Sequence, residues 1–260
     1  MCAFTKSFLS FINPGERLAA QTEVASERRP LTEKGKETLK RKNAERSRRS
    51  KEEKKRAEKV FGLLDSLYPH AKTALKHESP YELLVATILS AQCTDERVNK
   101  VTPELFAVAP TPGALYELET ERLEEIIRST GFYKNKAKNL KRAAEVIVNK
   151  HGGNIPRTME ELIELDGVAR KTANVVLGSA FEVAVGVVVD THVRRLSQRL
   201  GFTVEKDPVK IERDLMDLFP RDQWIQLSHG LILHGRKVCK ARRPLCGECV
   251  LFSYCPAAED

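Results

Sequence analysis

No stretch of this 260-residue chain approaches the roughly 20 apolar residues that a membrane-spanning helix needs. Its opening, MCAFTKSFLSFIN, has neither the long apolar run nor the small-residue cleavage site of a secretory leader. Both absences predict a soluble, cytoplasmic protein. Strand-forming runs are as scarce. Only VAVGVVVD, 183–190, is rich in β-branched residues. One short run cannot make a sheet, so the expected class is all-α, with that run an extended segment or the start of a buried helix. There is also no fixed-period repeat and no glycine-rich phosphate loop, which argues against a solenoid and against nucleotide-driven chemistry.

What is present is a hydrophobic content of 41%, enough to fill one large core or two modest ones. The net charge of +8 is concentrated in one place. Residues 27–59 hold fifteen Lys or Arg against seven Asp or Glu, so the remainder sums to about zero. The segment RKNAERSRRSKEEKKR has almost no apolar side chains, and residues 1–51 read as a basic, disordered tail or a solvated helix. Such a tail either attracts polyanions such as DNA or serves only to solubilise.

Helix signals dominate the rest. Ser79-Pro80 with Glu82 combines a cap, a proline at the first helical position and a capping-box carboxylate. Thr111-Pro112 and Asp207-Pro208 repeat the cap-then-proline pattern, and Thr158 to Glu161 is a second capping box. YKNKAKNLKRAAEVIVNKHGG reads as an amphipathic helix stopped by Gly152 and Gly153.

Three constellations carry chemistry. In LDGVARKTANVVLGSAF, 165–181, a short helix ends at Leu165, Asp166 and Gly167 turn, and a second helix starts around Val168 to Arg170. Unpaired N–H groups and a positive helix end converge there, as a phosphate site requires. Lys171 in the first turn is either a surface lysine or a nucleophile whose ammonium form the dipole disfavours. In VVVDTHVRR, 187–195, Asp190 reads as the cap of the helix that ends at Gly201, a role compatible with catalysis at the helix mouth. Finally, Cys239, Cys246, Cys249 and Cys255 have the spacing C-x6-C-x2-C-x5-C, which points to metal and leaves zinc and iron–sulfur both open. Cys2 and Cys93 stand apart from that loop.

LDGVARKTANVV, VDTHVRRL and the cysteine spacing, in this order, resemble the helix-hairpin-helix DNA glycosylases, and within them the endonuclease III family. SPYELLVATILSAQCTD, STGFYKNKAKNL and LILHGRKVCKARRPLCGEC extend the likeness from about residue 55 to the end. The resemblance implies two helical domains with a DNA-binding cleft between them. Residues 75–183 would form a six-helix domain with the hairpin, and 52–74 plus 184–260 a cluster domain. It implies a monomer that excises damaged bases, chiefly oxidised pyrimidines, from duplex DNA and then nicks the strand. A 4Fe-4S cluster on the four cysteines would shape a loop whose Lys240, Arg242 and Arg243 reach the DNA backbone.

By the same resemblance, Lys171 attacks the sugar and forms a Schiff base, assisted by Asp190, while Gly167, Val168, Ala169 and Arg170 of the hairpin contact DNA. Gln92 and Phe132 match the side chains that fill the gap left by a flipped base and wedge beside its partner. By residue type alone, Phe132 would be core and Gln92 a helix-end cap. Ser90 and Asp95 match residues near the pocket. Two rivals remain at this level. One is an adenine-mismatch-type glycosylase, which lacks the lysine and usually carries a further C-terminal domain. The other is a non-catalytic iron–sulfur DNA-binding module, which would require neither Lys171 nor Asp190.

The hairpin departs from the family's LPGVGRKTA at Asp166 and Ala169. If position 169 requires a left-handed backbone, alanine there costs about 1–2 kcal/mol, and Asp166 sets a carboxylate near a phosphate site, so weaker or retuned DNA binding is expected.

Overall fold

The computed structural model describes residues 51–259, and all regular elements among them are helical. The basic tail read at 1–51 lies outside the described residues apart from Lys51, which belongs to the first helix. That helix, α1, occupies 51–67. It is followed by α2 (Pro80–Leu89), α3 (Asp95–Val108), α4 (Pro112–Glu117), α5 (Thr120–Ile127), α6 (Tyr133–His151), α7 (Met159–Ile163) and α8 (Arg170–Phe181). After the 183–190 segment come α9 (Thr191–Arg199), α10 (Pro208–Leu218) and α11 (Trp224–Lys237). The β-branched run is a connection without helix or strand pairing, bent at residues 185–186, and Val187 and Val189 are buried.

The caps form as their local chemistry dictates. Ser79, Thr111 and Thr158 each accept the N–H three residues on, at 3.1–3.3 Å. Asp207 accepts from Val209 and Lys210. Gly152 ends α6 in the left-handed conformation at φ +58°. Each cap satisfies N–H or C=O groups that the helix ladder leaves unpaired.

The helices enclose two hydrophobic cores. One is built from α2 to α8, with α2 at its centre, buried continuously from Leu83 to Leu89. The other combines α1 with α9, α10 and α11, so residues from both ends of the described chain share it. Arg56 of α1 helps to join those ends, donating to the carbonyls of Leu200 and Tyr254 and lying 5.2 Å from the Phe202 ring centroid.

Polar contacts stitch the two cores together. Glu212 of α10 is 4% exposed, and its carboxylate receives Arg170 Nε at 2.7 Å, Arg170 Nη2 at 3.0 Å and Asn174 Nδ2 at 2.8 Å. Arg236 of α11 pairs with Asp95 at 2.7 Å, and Arg221 donates to the Ala184 carbonyl. Gly186 lies against the Glu212 carboxylate with no room for a Cβ.

A buried carboxylate stripped of its guanidinium is costly, whereas replacing both partners by apolar groups is often neutral. Arg170→Ala is therefore expected to destabilise by about 3 kcal/mol, and Arg170→Met with Asn174→Leu and Glu212→Leu, which removes every partner of the buried carboxylate, to recover most of that loss; urea-unfolding midpoints check both.

Candidate active site and cysteine centre

The hairpin is built from α7, the turn at 164–169 and α8. Gly167 supplies the left-handed residue at φ +81°, and a Cβ there would meet Asn139 at 3.1 Å. Val168 N–H closes the turn onto the Leu165 carbonyl at 3.0 Å, and its side chain is buried. Val168 thus offers neither side chain nor N–H outward. Ala169 is the cap residue of α8 and is extended, at φ −89° and ψ 169°. The left-handed requirement falls on Gly167 alone, so the strain expected for Ala169 is absent.

Ala169 has no side chain that can cap α8, and Arg170 turns its guanidinium inward to Glu212. The helix mouth therefore keeps outward-facing N–H groups without a side-chain acceptor, which suits an anion. Asp166 stands beside this mouth, with Arg142 of α6 at 4.0 Å partly offsetting its charge. Lys171, the second residue of α8, is exposed.

Asp190 caps α9 through one oxygen, Oδ1, which accepts from the N–H groups of His192 and Val193 at 2.8 Å each. Its other oxygen makes no hydrogen bond among the described residues and is free to accept a proton or face a cation. Capping thus occupies one oxygen of the carboxylate and leaves the other without a partner among the described residues.

Phe132 is 65% exposed, which corrects its reading by residue type as core. It is left-handed at φ +49°, and Gln92 is left-handed at φ +52° and exposed. Such backbones are uncommon for residues with a Cβ and mark constrained positions. Ser90 donates its hydroxyl to the Thr87 carbonyl at the end of α2.

The four cysteines of the C-terminal loop line one cavity together with Val238, Leu245 and Phe252. Among the described residues, no three Cys, His, Asp or Glu side chains form a group that could hold a single metal ion. Four thiols around one cavity are the donor set that an iron–sulfur cluster takes. Burial first, and then the charge of the neighbouring cysteines, pushes the Cys249 and Cys255 thiols up, so the set calls for a cation to hold it as thiolate.

The loop is held by groups whose importance the sequence did not signal. Arg199 of α9 donates to Cys239 Sγ at 3.3 Å and to the carbonyls of Lys240 and Ala241. Arg195 donates to the carbonyls of Gly235 and Cys239. His234 Nε2 lies 3.3 Å from Cys249 Sγ and Nδ1 lies 3.4 Å from the Tyr68 hydroxyl. Burial keeps this imidazole neutral, its pKa pushed down to about 4. A thiolate can only accept, so with Cys249 ionised the proton sits on Nε2 and Tyr68 donates to Nδ1. Lys240, Arg242 and Arg243 stay exposed on the loop so held, Arg243 in a left-handed turn at φ +53°.

Comparison with known proteins agrees with this geometry. Residues 85–221 match the HhH-GPD superfamily of base excision DNA repair proteins, and residues 239–255 match the iron–sulfur binding domain of endonuclease III. Endonuclease III of Synechocystis sp. (strain ATCC 27184 / PCC 6803 / Kazusa) is 55% identical over 82% of this chain and 97% of its own. The chain belongs to the endonuclease III family. Endonuclease III of Escherichia coli (strain K12) is 41% identical, over 74% of this chain and 90% of its own. A solved structure of a trapped endonuclease III–DNA covalent intermediate superposes with a TM-score of 0.75 at 41% identity, covering 79% of this chain and 96% of that one.

As a family member the chain is a base-excision-repair enzyme, a DNA glycosylase with AP lyase activity, and binds a 4Fe-4S cluster. The cysteines at 239, 246, 249 and 255 are the residues that could hold it. No helix among the described residues is long and apolar enough to cross a membrane.

Groups that hold a metal ligand in place commonly matter about 10–100-fold. Arg199→Ala is therefore expected to hasten bleaching of the brown holoprotein by a chelator about tenfold, with helical circular dichroism unchanged before bleaching.

Proposed function

We propose that Lys171 and Asp190 are the catalytic pair of this enzyme, that it removes oxidised pyrimidines from duplex DNA as a cytoplasmic monomer, and that the four cysteines hold its cluster. The observation that carries the reading is the exposed amine of Lys171 at the open mouth of the hairpin helix. In this reading, residues 75–183 form the hairpin domain, and 52–74 with 184–260 form the cluster domain.

A base stacked in a duplex shields its sugar carbon, so the nucleotide is first turned out, which costs a few kcal/mol and less for a damaged base. The neutral Lys171 amine attacks the anomeric carbon, and the bond to the base breaks with its electron pair leaving on the base. The free oxygen of Asp190 takes the proton that the amine sheds. The sugar ring opens to a Schiff base with Lys171. That iminium accepts the electron pair released when a proton leaves the adjacent carbon, and the 3′ phosphate departs by β-elimination. One amine accounts for both bond cleavages.

The hairpin N–H groups, with Gly167 and Ala169 at the turn, bind a backbone phosphate. Arg170 contributes through its backbone and through its hold on Glu212. Lys240, Arg242 and Arg243 add sequence-independent attraction to the strand. Gln92 fills the vacated gap, and Phe132 wedges beside the partner base. The cluster supplies loop structure, and these steps involve only side chains and backbone.

Borohydride applied to the enzyme on a duplex with one oxidised thymine is expected to trap a covalent adduct, and Lys171→Ala to abolish it. Base release with no adduct would instead indicate a monofunctional enzyme. Because Asp166 stands beside the phosphate site, Asp166→Asn is expected to tighten duplex binding about two- to fivefold, an effect of 0.4–1 kcal/mol. Ala169→Gly, which relieves no strain, is expected to change binding less than twofold in the same titration.

A further inference from the structure

Lys136 is the fourth residue of α6 and is only 5% exposed. Its ammonium donates to the Leu89 carbonyl at 2.7 Å and to the Thr130 carbonyl at 2.8 Å. No carboxylate pairs with it among the described residues. A lysine stem ending in a methyl group would fill the site without the cost of burying a charge, so the ammonium is there for its donors.

The two acceptors are specific places in the fold. Leu89 is the last residue of α2, and Thr130 is the last of the 3-10 turn Arg128–Thr130 that follows α5. Carbonyls at helix ends carry partial negative charge and lack helical partners, so one cation can satisfy both. Three residues beyond Leu89 comes Gln92, and two beyond Thr130 comes Phe132, both left-handed. The backbone N–H of Lys136 also donates to the Phe132 carbonyl at 3.1 Å. A single residue thus grips the root of each loop and the backbone of one tip.

We propose that Lys136 is a positioning residue whose shared ammonium sets the spacing between the Gln92 and Phe132 loops, and through it the ability to hold a nucleotide out of the duplex. The inference rests on the reading of Gln92 and Phe132 as the inserted side chains. Separating base steps costs a few kcal/mol each. Two loops free to splay would yield instead of the duplex, and the inserted groups would fall short of the gap. A side chain that acts on DNA needs neighbours that lock its place.

The test uses the full-length holoprotein with Lys136→Met and Lys136→Gln. Each preparation is assayed on an oxidised thymine in a duplex and on an abasic site in single-stranded DNA, where no partner base or gap exists. The ratio of the two rates cancels any difference in folded fraction. Lys136→Met is expected to lower that ratio at least about tenfold, and Lys136→Gln by less, since one amide can reach one carbonyl. In a Gln92→Ala, Phe132→Ala background the same substitutions are expected to have no further effect. A ratio within about twofold of wild type for both lysine variants, while Gln92→Ala or Phe132→Ala lowers it, overturns the proposal and spares the insertion reading. If neither loop variant lowers the ratio, the insertion reading fails and takes this inference with it. Should Lys136→Met not fold, Lys136→Gln carries the comparison.

Discussion

The carboxylate of Glu212 is the contact on which the placement of the hairpin helix depends. It comes from the core built on α1 and α9–α11, yet it is filled by Arg170 and Asn174 from the other core. Both donors lie on α8, and Arg170 is the residue immediately before Lys171. A charge-assisted, bidentate bond has a narrow range of good geometries, so it fixes the hairpin helix against the neighbouring core in rotation as well as in distance. Burial sharpens this, because a displaced Glu212 would be a charge without solvent. Asp95 with Arg236 makes a second, more exposed tie across the same seam.

Helix α9 extends that order to the C-terminal loop. At its start Asp190 spends one oxygen on capping and keeps the other open. On its flank Arg195 and Arg199 hold the carbonyls of residues 239–241, beside the first cysteine. The aspartate and the cationic loop thus share one helical support, although the residues are fifty or more positions apart. The arginines of α9 thereby order the backbone around the first of the four cysteines that could hold the cluster.

The sequence revealed whatever depends on near neighbours. Caps at Ser79, Thr111, Thr158, Asp190 and Asp207 are bonds across two or three residues, so a short window contains both partners. The turn at Gly167 and the stop at Gly152 were legible for the same reason, since each is a conformation of a single residue. The family motifs added Lys171 and the cysteine spacing. Alanine at 169 misled because a motif reports which residue is usual, whereas its φ of −89° reports what the backbone demands. Phe132 misled in the other direction: its composition suggests burial, and its place beyond the 3-10 turn exposes it.

Glu212, Lys136, Arg195 and Arg199 were not legible, and they have one property in common. Each has a partner 42, 47, 44 or 41 residues away respectively, beyond any local pattern. A buried lysine, a buried glutamate and two loop-holding arginines look in sequence like ordinary charges on helix surfaces. The sequence by itself determined helices, their ends, the hairpin turn and the metal-binding character of the cysteine loop, because short-range hydrogen bonds and side-chain type decide those. Only the tertiary structure decided which charges turn inward, since the benefit of burying one exists only when distant carbonyls or a counter-ion close around it.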